Sequence, residues 1–154
     1  MVEKGNGLLL VGRDTDRREL LAALLGARGF ELEAAASETA AVDRLIEGGI
    51  DVVVIDINPH HEGSFALLRT IRQGSEPVAE IPVVFSSERS KPVDRLRAWE
   101  QGADGWVPRP HHIEELVTAI RDARGRSPKQ REQYRQDQFE ATRRAIAESK
   151  RVDR

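Results

Sequence analysis

Short unbroken apolar runs alternate along the chain with stretches whose apolar residues recur every three or four positions. Residues 8–11 (Leu8, Leu9, Leu10, Val11) form the first run, and an apolar run without alternation suits a strand buried on both faces of a parallel sheet. Gly12 ends it; Asp14, Thr15 and Asp16 then offer helix caps, and Leu20, Leu21, Leu24 and Leu25 keep helical spacing until Gly26 and Gly29. A weaker strand at 32–36 is followed by Ser37 as a cap, a helix carrying Ala41, Leu45 and Ile46, and the stop Gly48-Gly49. Residues 51–57 are the most β-branched stretch and read as the central strand. The rest of the pattern predicts a helix over 64–73, a strand over 81–86, a helix opened by Ser90, Lys91 and Pro92 and holding Leu96 and Trp99, and a short strand over 105–108. A last helix carries the stripe Ile113, Leu116, Val117, Ile120. Five βα units in succession predict an α/β, doubly wound, five-stranded parallel sheet with right-handed crossovers. In such sheets the working site lies at the carboxyl ends of the strands, here near Gly12 to Asp14, Asp56 to Asn58, Ser86 to Glu88 and Pro108 to Pro110.

Composition narrows the reading. With 154 residues, 39% hydrophobic and 32% charged, the chain buries one good core rather than two. It has no cysteine, which removes thiolate metal sites, disulfides and cysteine nucleophiles. The first residues carry Glu3 and Lys4 and too few apolar positions for a leader or a membrane span, so a cytoplasmic protein with no membrane contact is expected. The net charge of -2 hides a split: from Arg124 onward there are ten Lys/Arg against five Asp/Glu. That leaves the tail at about +5 and the body at about -7 and points to a boundary between residues 1–124 and 125–154.

Asp56 closes a strand that is otherwise apolar, which sets its carboxylate at the rim of the sheet; a strand-end or helix-capping role would by itself account for it. Ser87 after the fourth strand and Arg109-Pro110 after the fifth converge on the same rim. With the ungapped run of residues 8–21, the segment 51–58, Ile81-Pro82-Val83-Val84 and Gly102-Ala103-Asp104 in this order, the chain resembles the receiver domain of response regulators over residues 7–124. The resemblance implies a flavodoxin-like sheet of order 2-1-3-4-5 and a signalling module of two-component systems rather than a metabolic enzyme. It makes Asp56 the acceptor of a phosphoryl group from a histidine kinase, a carboxylate nucleophile. Ser87 becomes the hydroxyl that binds the phosphoryl oxygens, Trp106 the aromatic switch, Arg109 the stand-in for the family's lysine and Pro110 the residue after a cis peptide. Asn58 becomes the residue whose carbonyl helps hold magnesium.

The sequence departs from that pattern where the metal would bind. Transfer of a phosphoryl group onto a carboxylate gathers negative charge that magnesium neutralises through hard oxygen ligands, and the family supplies an acidic pair just after the first strand. Here the pair is Gly12 and Arg13, and Asp14 lies one position too far along, where it caps the first helix. A guanidinium filling the charge vacancy is the expected replacement, with Asp56 held ionised by Arg13, Arg109 or both; a separation beyond about 5 Å from both guanidinium groups would overturn this. Glu88 replaces a small residue after Ser87, and the loop Asn58-Pro59-His60-His61-Glu62-Gly63 is a residue short. His60, His61 and Glu62 invite a zinc reading, but adjacent histidines rarely aim at one ion, and His111-His112 recur where exposure suffices.

Beyond Gly125-Arg126-Ser127-Pro128 the tail has helical propensity and a thin apolar side of Tyr134, Phe139, Ala141, Ala145 and Ile146. A solvated or frayed helix, a dimerisation or docking helix, and a linker toward an output domain all fit. Nucleic-acid binding lacks aromatic interleaving and a helix-turn-helix. The leading expectation is an atypical receiver that acts as a protein interaction module, with magnesium-dependent phosphorylation at Asp56 impaired or absent. Its expected partners are a histidine kinase or downstream protein meeting the fourth helix, fifth strand and fifth helix around Trp99 and Trp106, or a second copy in a homodimer. A conventional phosphoaccepting regulator is the alternative, and a flavodoxin-like or cobalamin-type cofactor protein a more distant one, since Gly12-Arg13-Asp14 is no phosphate loop.

Overall fold

A computed structural model of the chain describes residues 7–57, 62–88, 91–109 and 112–152. Five parallel strands, β1 (Gly7–Val11), β2 (Glu31–Ala35), β3 (Val52–Ile57), β4 (Val83–Glu88) and β5 (Gly105–Arg109), form one sheet of order β2-β1-β3-β4-β5. The helices are α1 (Thr15–Gly26), α2 (Glu38–Ile46), α3 (Gly63–Gln73), α4 (Pro92–Glu100), α5 (Ile113–Gly125) and α6 (Pro128–Val152). Class, strand number and order are those the sequence and its resemblance imply, with element ends shifted by a residue or two.

The inner strands are apolar on both faces because helices cover both. Leu9, Val11, Val53, Ile55, Val83 and Phe85 point toward α2, α3 and α4, where Leu45, Leu68, Ile71 and Trp99 complete one core layer. Leu8, Leu10, Val52, Val54 and Val84 point the other way, onto Leu21, Leu25, Leu116, Val117 and Ile120 of α1 and α5. A one-residue slip of any inner strand would therefore exchange the two layers. Asp14 caps α1 by accepting the Arg17 backbone N–H at 3.0 Å, and Ser37 caps α2 through the Ala40 N–H at 3.1 Å. Both caps were expected. Among the described residues no helix is long and apolar enough to cross a membrane.

At the amino end of the strands a second carboxylate is buried. Asp104, just before β5, has a 1% exposed side chain whose Oδ2 accepts the Val83 N–H at 2.9 Å. Arg72 of α3 donates to the same oxygen at 2.8 Å, and Arg131 of α6 donates to Oδ1 at 2.8 Å and to Oδ2 at 3.1 Å. Arg72 also donates to the carbonyls of Ala79, Ile81 and Gly102. Gly102 has φ near 100°, and a Cβ there would lie 3.0 Å from Arg72 Nε, so glycine serves both the turn and the approach. Burial draws the Arg72 guanidinium down to about 10, with Asp104 opposing the shift, which leaves it charged at neutral pH.

The tail is helical, but it is neither frayed nor fully solvated. Ser127 and Gln130 exchange side-chain and backbone hydrogen bonds at 2.8 and 3.2 Å, a capping box that starts α6. The helix then packs on α4, and Arg131 and Thr142 are buried. Removing one partner of a buried hydrogen-bonded charge cluster costs about 3–5 kcal/mol. Asp104→Ala, which orphans Arg72 and Arg131 together, is expected to lower unfolding free energy in urea by that amount. Glu114→Ala, which breaks the largely exposed pair with Arg28, should change it by no more than about 1 kcal/mol.

Candidate functional site

The carboxyl ends of β1, β3, β4 and β5 surround a cavity of about 160 Å³ lined in part by Gly12, Arg13, Asp14, Arg17, Glu38, Asp56, Ser64, Glu88 and Arg109. Asp56 forms its floor. The strand places it in register with Ser86 of β4, and its side chain is only 5% exposed. A carboxylate that far from water needs a cation or several hydrogen bonds to stay ionised.

The cation comes from α1. With Asp14 as cap, Arg17 is the third helical residue, and side chains in a helix lean back toward its N-terminus. Arg17 consequently reaches over the end of β1 to Asp56: Nε donates to Oδ2 at 2.9 Å and Nη2 to Oδ1 at 3.1 Å. This is the two-pronged geometry of a guanidinium on a carboxylate. Arg109, at the end of β5, brings Nη1 to 3.3 Å from Asp56 Oδ1 and Nη2 to 3.9 Å from Glu88. The hydrogen bond to Asp56 raises the pKa of Arg17 against the cost of burial, whereas burial, followed by Asp56 acting against it and repulsion from Arg17, lowers that of Arg109. Arg17 therefore carries the principal charge-assisted bonds, and Arg109 supports them.

The expected pairing of Asp56 with an arginine holds for Arg109 and fails for Arg13. The Arg13 side chain is 61% exposed and donates instead to Glu38 of α2 at 2.9 Å. The physical reason is direction: Asp14 already turns the chain into α1, so the residue before it points across the cavity mouth to Glu38 rather than down to Asp56. Gly12 faces Asp56, and a Cβ there would meet the Asp56 Cβ at 3.4 Å and Oδ2 at 3.9 Å. The position therefore has room for a side chain but supplies none. Arg18 Nη1 donates to the Gly12 carbonyl at 2.6 Å, fixing the end of β1 from the same helix.

Ser87 is buried and in register with Ile57 and Pro108; its hydroxyl donates to the Glu88 carbonyl at 3.3 Å, and it is absent from the cavity lining. Trp106 is turned inward, its ring 5.4 Å from that of Phe85 and 6.5 Å from that of Phe65, and its buried Nε1 meets no hydrogen-bond partner among the described residues. Arg97 of α4 lies 4.3 Å over the Phe65 ring and grips Glu62 with bonds of 2.9 and 2.7 Å. Asn58, Pro110, His60, His61 and His111 lie outside the described residues, so the carbonyl, cis-peptide and zinc readings attached to them do as well. Among the described residues no group of three or more His, Asp or Glu is placed to hold a metal ion.

The sequence reading missed Arg17, Glu38 and Ser64. For Arg17 the signal was present: an arginine three residues after a capping aspartate, on a helix that starts at the site.

Comparison with known proteins agrees with this architecture. Residues 8–121 match the family model described as response regulator receiver domain. The transcriptional regulatory protein CpxR of Escherichia coli strain K12 is 31% identical over 132 residues, which are 86% of this chain and 55% of CpxR. YxdJ of Bacillus subtilis strain 168, also a transcriptional regulatory protein, is 32% identical over 117 residues, 75% of this chain and 49% of its own. The chain thus spans about half the length of the curated relatives it matches. Among solved structures, a putative response regulator from Chloroflexus aurantiacus superposes with a TM-score of 0.70 at 23% identity, covering 80% of this chain and 100% of that one. The non-phosphorylated HemR receiver domain from Leptospira biflexa gives 0.68 at 24% identity, covering 80% and 97%. The sheet order, the rim carboxylate and these matches make the chain a member of the response regulator receiver family, a signalling module of two-component systems.

Proposed function

We propose that this receiver works as an atypical member of its family, a protein interaction module of two-component signalling in which Asp56 is compensated by arginine and magnesium-dependent phosphorylation is impaired. The observation that carries this reading is the paired hydrogen bonding of Arg17 to both oxygens of Asp56. A carboxylate attacks phosphorus through an oxygen lone pair, and a guanidinium that occupies both oxygens lowers their nucleophilicity.

The donor set does not fit magnesium, which demands near-octahedral oxygen ligation at about 2.0–2.1 Å. Gly12 offers no side-chain ligand, Arg13 is a cation turned to Glu38, and Asp14 is engaged in capping α1. Arg13, Arg17 and Arg109 already stand against Asp14, Glu38, Asp56 and Glu88 in the cavity wall, so a divalent cation would enter a site whose charge is nearly balanced. Glu88, exposed at the mouth and near Arg109, adds repulsion toward an incoming phosphoryl dianion.

The conventional reading, phosphorylation of Asp56, draws its support from the survival of Asp56, Ser87 and an arginine at the lysine position. The cofactor reading has less: a space of about 160 Å³ falls short of the roughly 300–1,000 Å³ that small-molecule sites occupy. Partners in the proposed role are a histidine kinase or a downstream protein at α4, β5 and α5, in the cytoplasm. The relatives' names describe transcriptional regulators. Four of the cations counted from Arg124 onward, Arg124, Arg126, Arg131 and Arg135, are committed to the body and so withdrawn from any nucleic-acid surface.

Incubating the chain with magnesium and acetyl phosphate and reading intact mass is expected to give no stoichiometric adduct of about 80 Da; an adduct abolished by Asp56→Ala would overturn the proposal. Arg17→Ala should cost about 1–2 kcal/mol in urea unfolding, below the full penalty of a broken buried pair because Arg17 is partly exposed and Arg109 remains. In that variant Gly12, Arg13 and Asp14 are unchanged, so magnesium titrated against the fluorescence of Trp99 and Trp106 should still give no saturable change.

A further inference from the structure

The family resemblance makes α4 part of the surface that partners are expected to read, yet in the structure the Trp99 side of that helix is already covered. Trp99 is only 6% exposed, and the ring of Tyr134 from α6 meets it edge-on at 5.9 Å. Tyr134 and Phe139 pack against the same core layer as Trp99. The residues of α6 that are buried or half-buried along this side are Arg131, Tyr134, Arg135, Gln138, Phe139 and Thr142. Their spacing of i, i+3, i+4, i+7, i+8, i+11 is that of one helical stripe. It is a seam written partly in arginine, whose stem buries like an aliphatic chain while the head finds polar partners.

Charge complementarity fixes the seam. Arg131 reaches Asp104, Arg135 donates to the Gly102 carbonyl at 3.1 Å, and Arg126 lies 3.5 Å over the Tyr134 ring while donating to the Asp104 carbonyl at 3.4 Å. Arg124, just before α6, grips Asp51 at 2.5 Å. The positive tail and negative body are thus two sides of one intramolecular contact. Past Thr142 the helix is mostly exposed, up to Arg151.

We propose that the face of α4 is a docking site for an amphipathic helix bearing this arginine-aromatic stripe, that α6 fills it in cis, and that an external helix of the same kind, the α6 of a second copy, occupies it only when the cis helix is displaced. This rests on the signalling reading only in taking α4 as a surface that is read; its test uses neither phosphodonor nor magnesium, so the two stand or fall separately. A site filled in cis binds an external competitor with an affinity reduced by the fraction of chains in which it is open.

The probe is a fluorescein-labelled synthetic peptide of residues 127–152, titrated by anisotropy with the full chain and with the full-length Tyr134→Ala/Phe139→Ala variant, whose α4 and Asp104 are intact. The variant is expected to bind the peptide at least about tenfold more tightly than the parent, with amide hydrogen exchange in α4 accelerated at least about tenfold and that in α1 unchanged. Equal peptide affinity for the two chains, or equal α4 exchange, would overturn the proposal. If the double variant loses the parent's circular dichroism spectrum, Tyr134→Ala alone carries the same comparison, with the same sign and a smaller change.

Discussion

A carboxylate at the end of an apolar parallel strand must be compensated, and in this protein guanidinium groups do it. Asp56 is 5% exposed, and at such burial an unpaired charge would cost several kcal/mol. The choice of cation then decides what the rim can do. A metal ion is exchangeable and leaves carboxylate lone pairs available to chemistry, whereas Arg17 is tethered to α1 and takes both oxygens at once. The arginine that secures the charge thus occupies the oxygens through which the proposed loss of nucleophilicity would act.

The other end of the sheet follows the same rule. Asp104 is held by Arg72 and Arg131 as Asp56 is held by Arg17 and Arg109. Each carboxylate joins elements distant in sequence: α1 to β3 and β5 at one end, α3 and α6 to the start of β4 and β5 at the other. The two clamps differ in exposure. Arg131 is buried at 7% while Arg17 is 38% exposed, so the amino-end clamp is structural cement and the carboxyl-end clamp faces a cavity that solvent reaches. A site that can still open belongs at the second.

The fold was legible because the inner strands carry their burial in sequence: residues 8–11 and 52–55 are continuous apolar runs, which a two-sided sheet requires and a half-exposed one does not. The rim positions of Asp56 and Arg109 were legible from strand ends. Arg13 was misassigned because occupying a position of the missing acidic pair does not fix the direction of its side chain, which is set by the cap at Asp14. Arg17 lies one helical turn inside α1, where tertiary placement decides whether an arginine meets solvent or the rim. For α6, the count of apolar residues hid the seam, since two of its members, Arg131 and Arg135, are arginines, and the Ser127-to-Gln130 capping box that begins it went unread.

The inward Trp106 ties these features together. Its ring lies on Phe85 and Phe65, Phe65 lies under Arg97, and Arg97 holds Glu62 at the start of α3. The same helix that supplies Arg97 supplies Trp99 to the α6 seam. A shift of α4 would therefore strain the aromatic stack on one side and the seam on the other, because packed interfaces of this kind move between discrete arrangements rather than deforming smoothly. If α6 docks on α4 as proposed, its displacement would bias that arrangement from the tail, at a distance from the rim carboxylate that Arg17 holds.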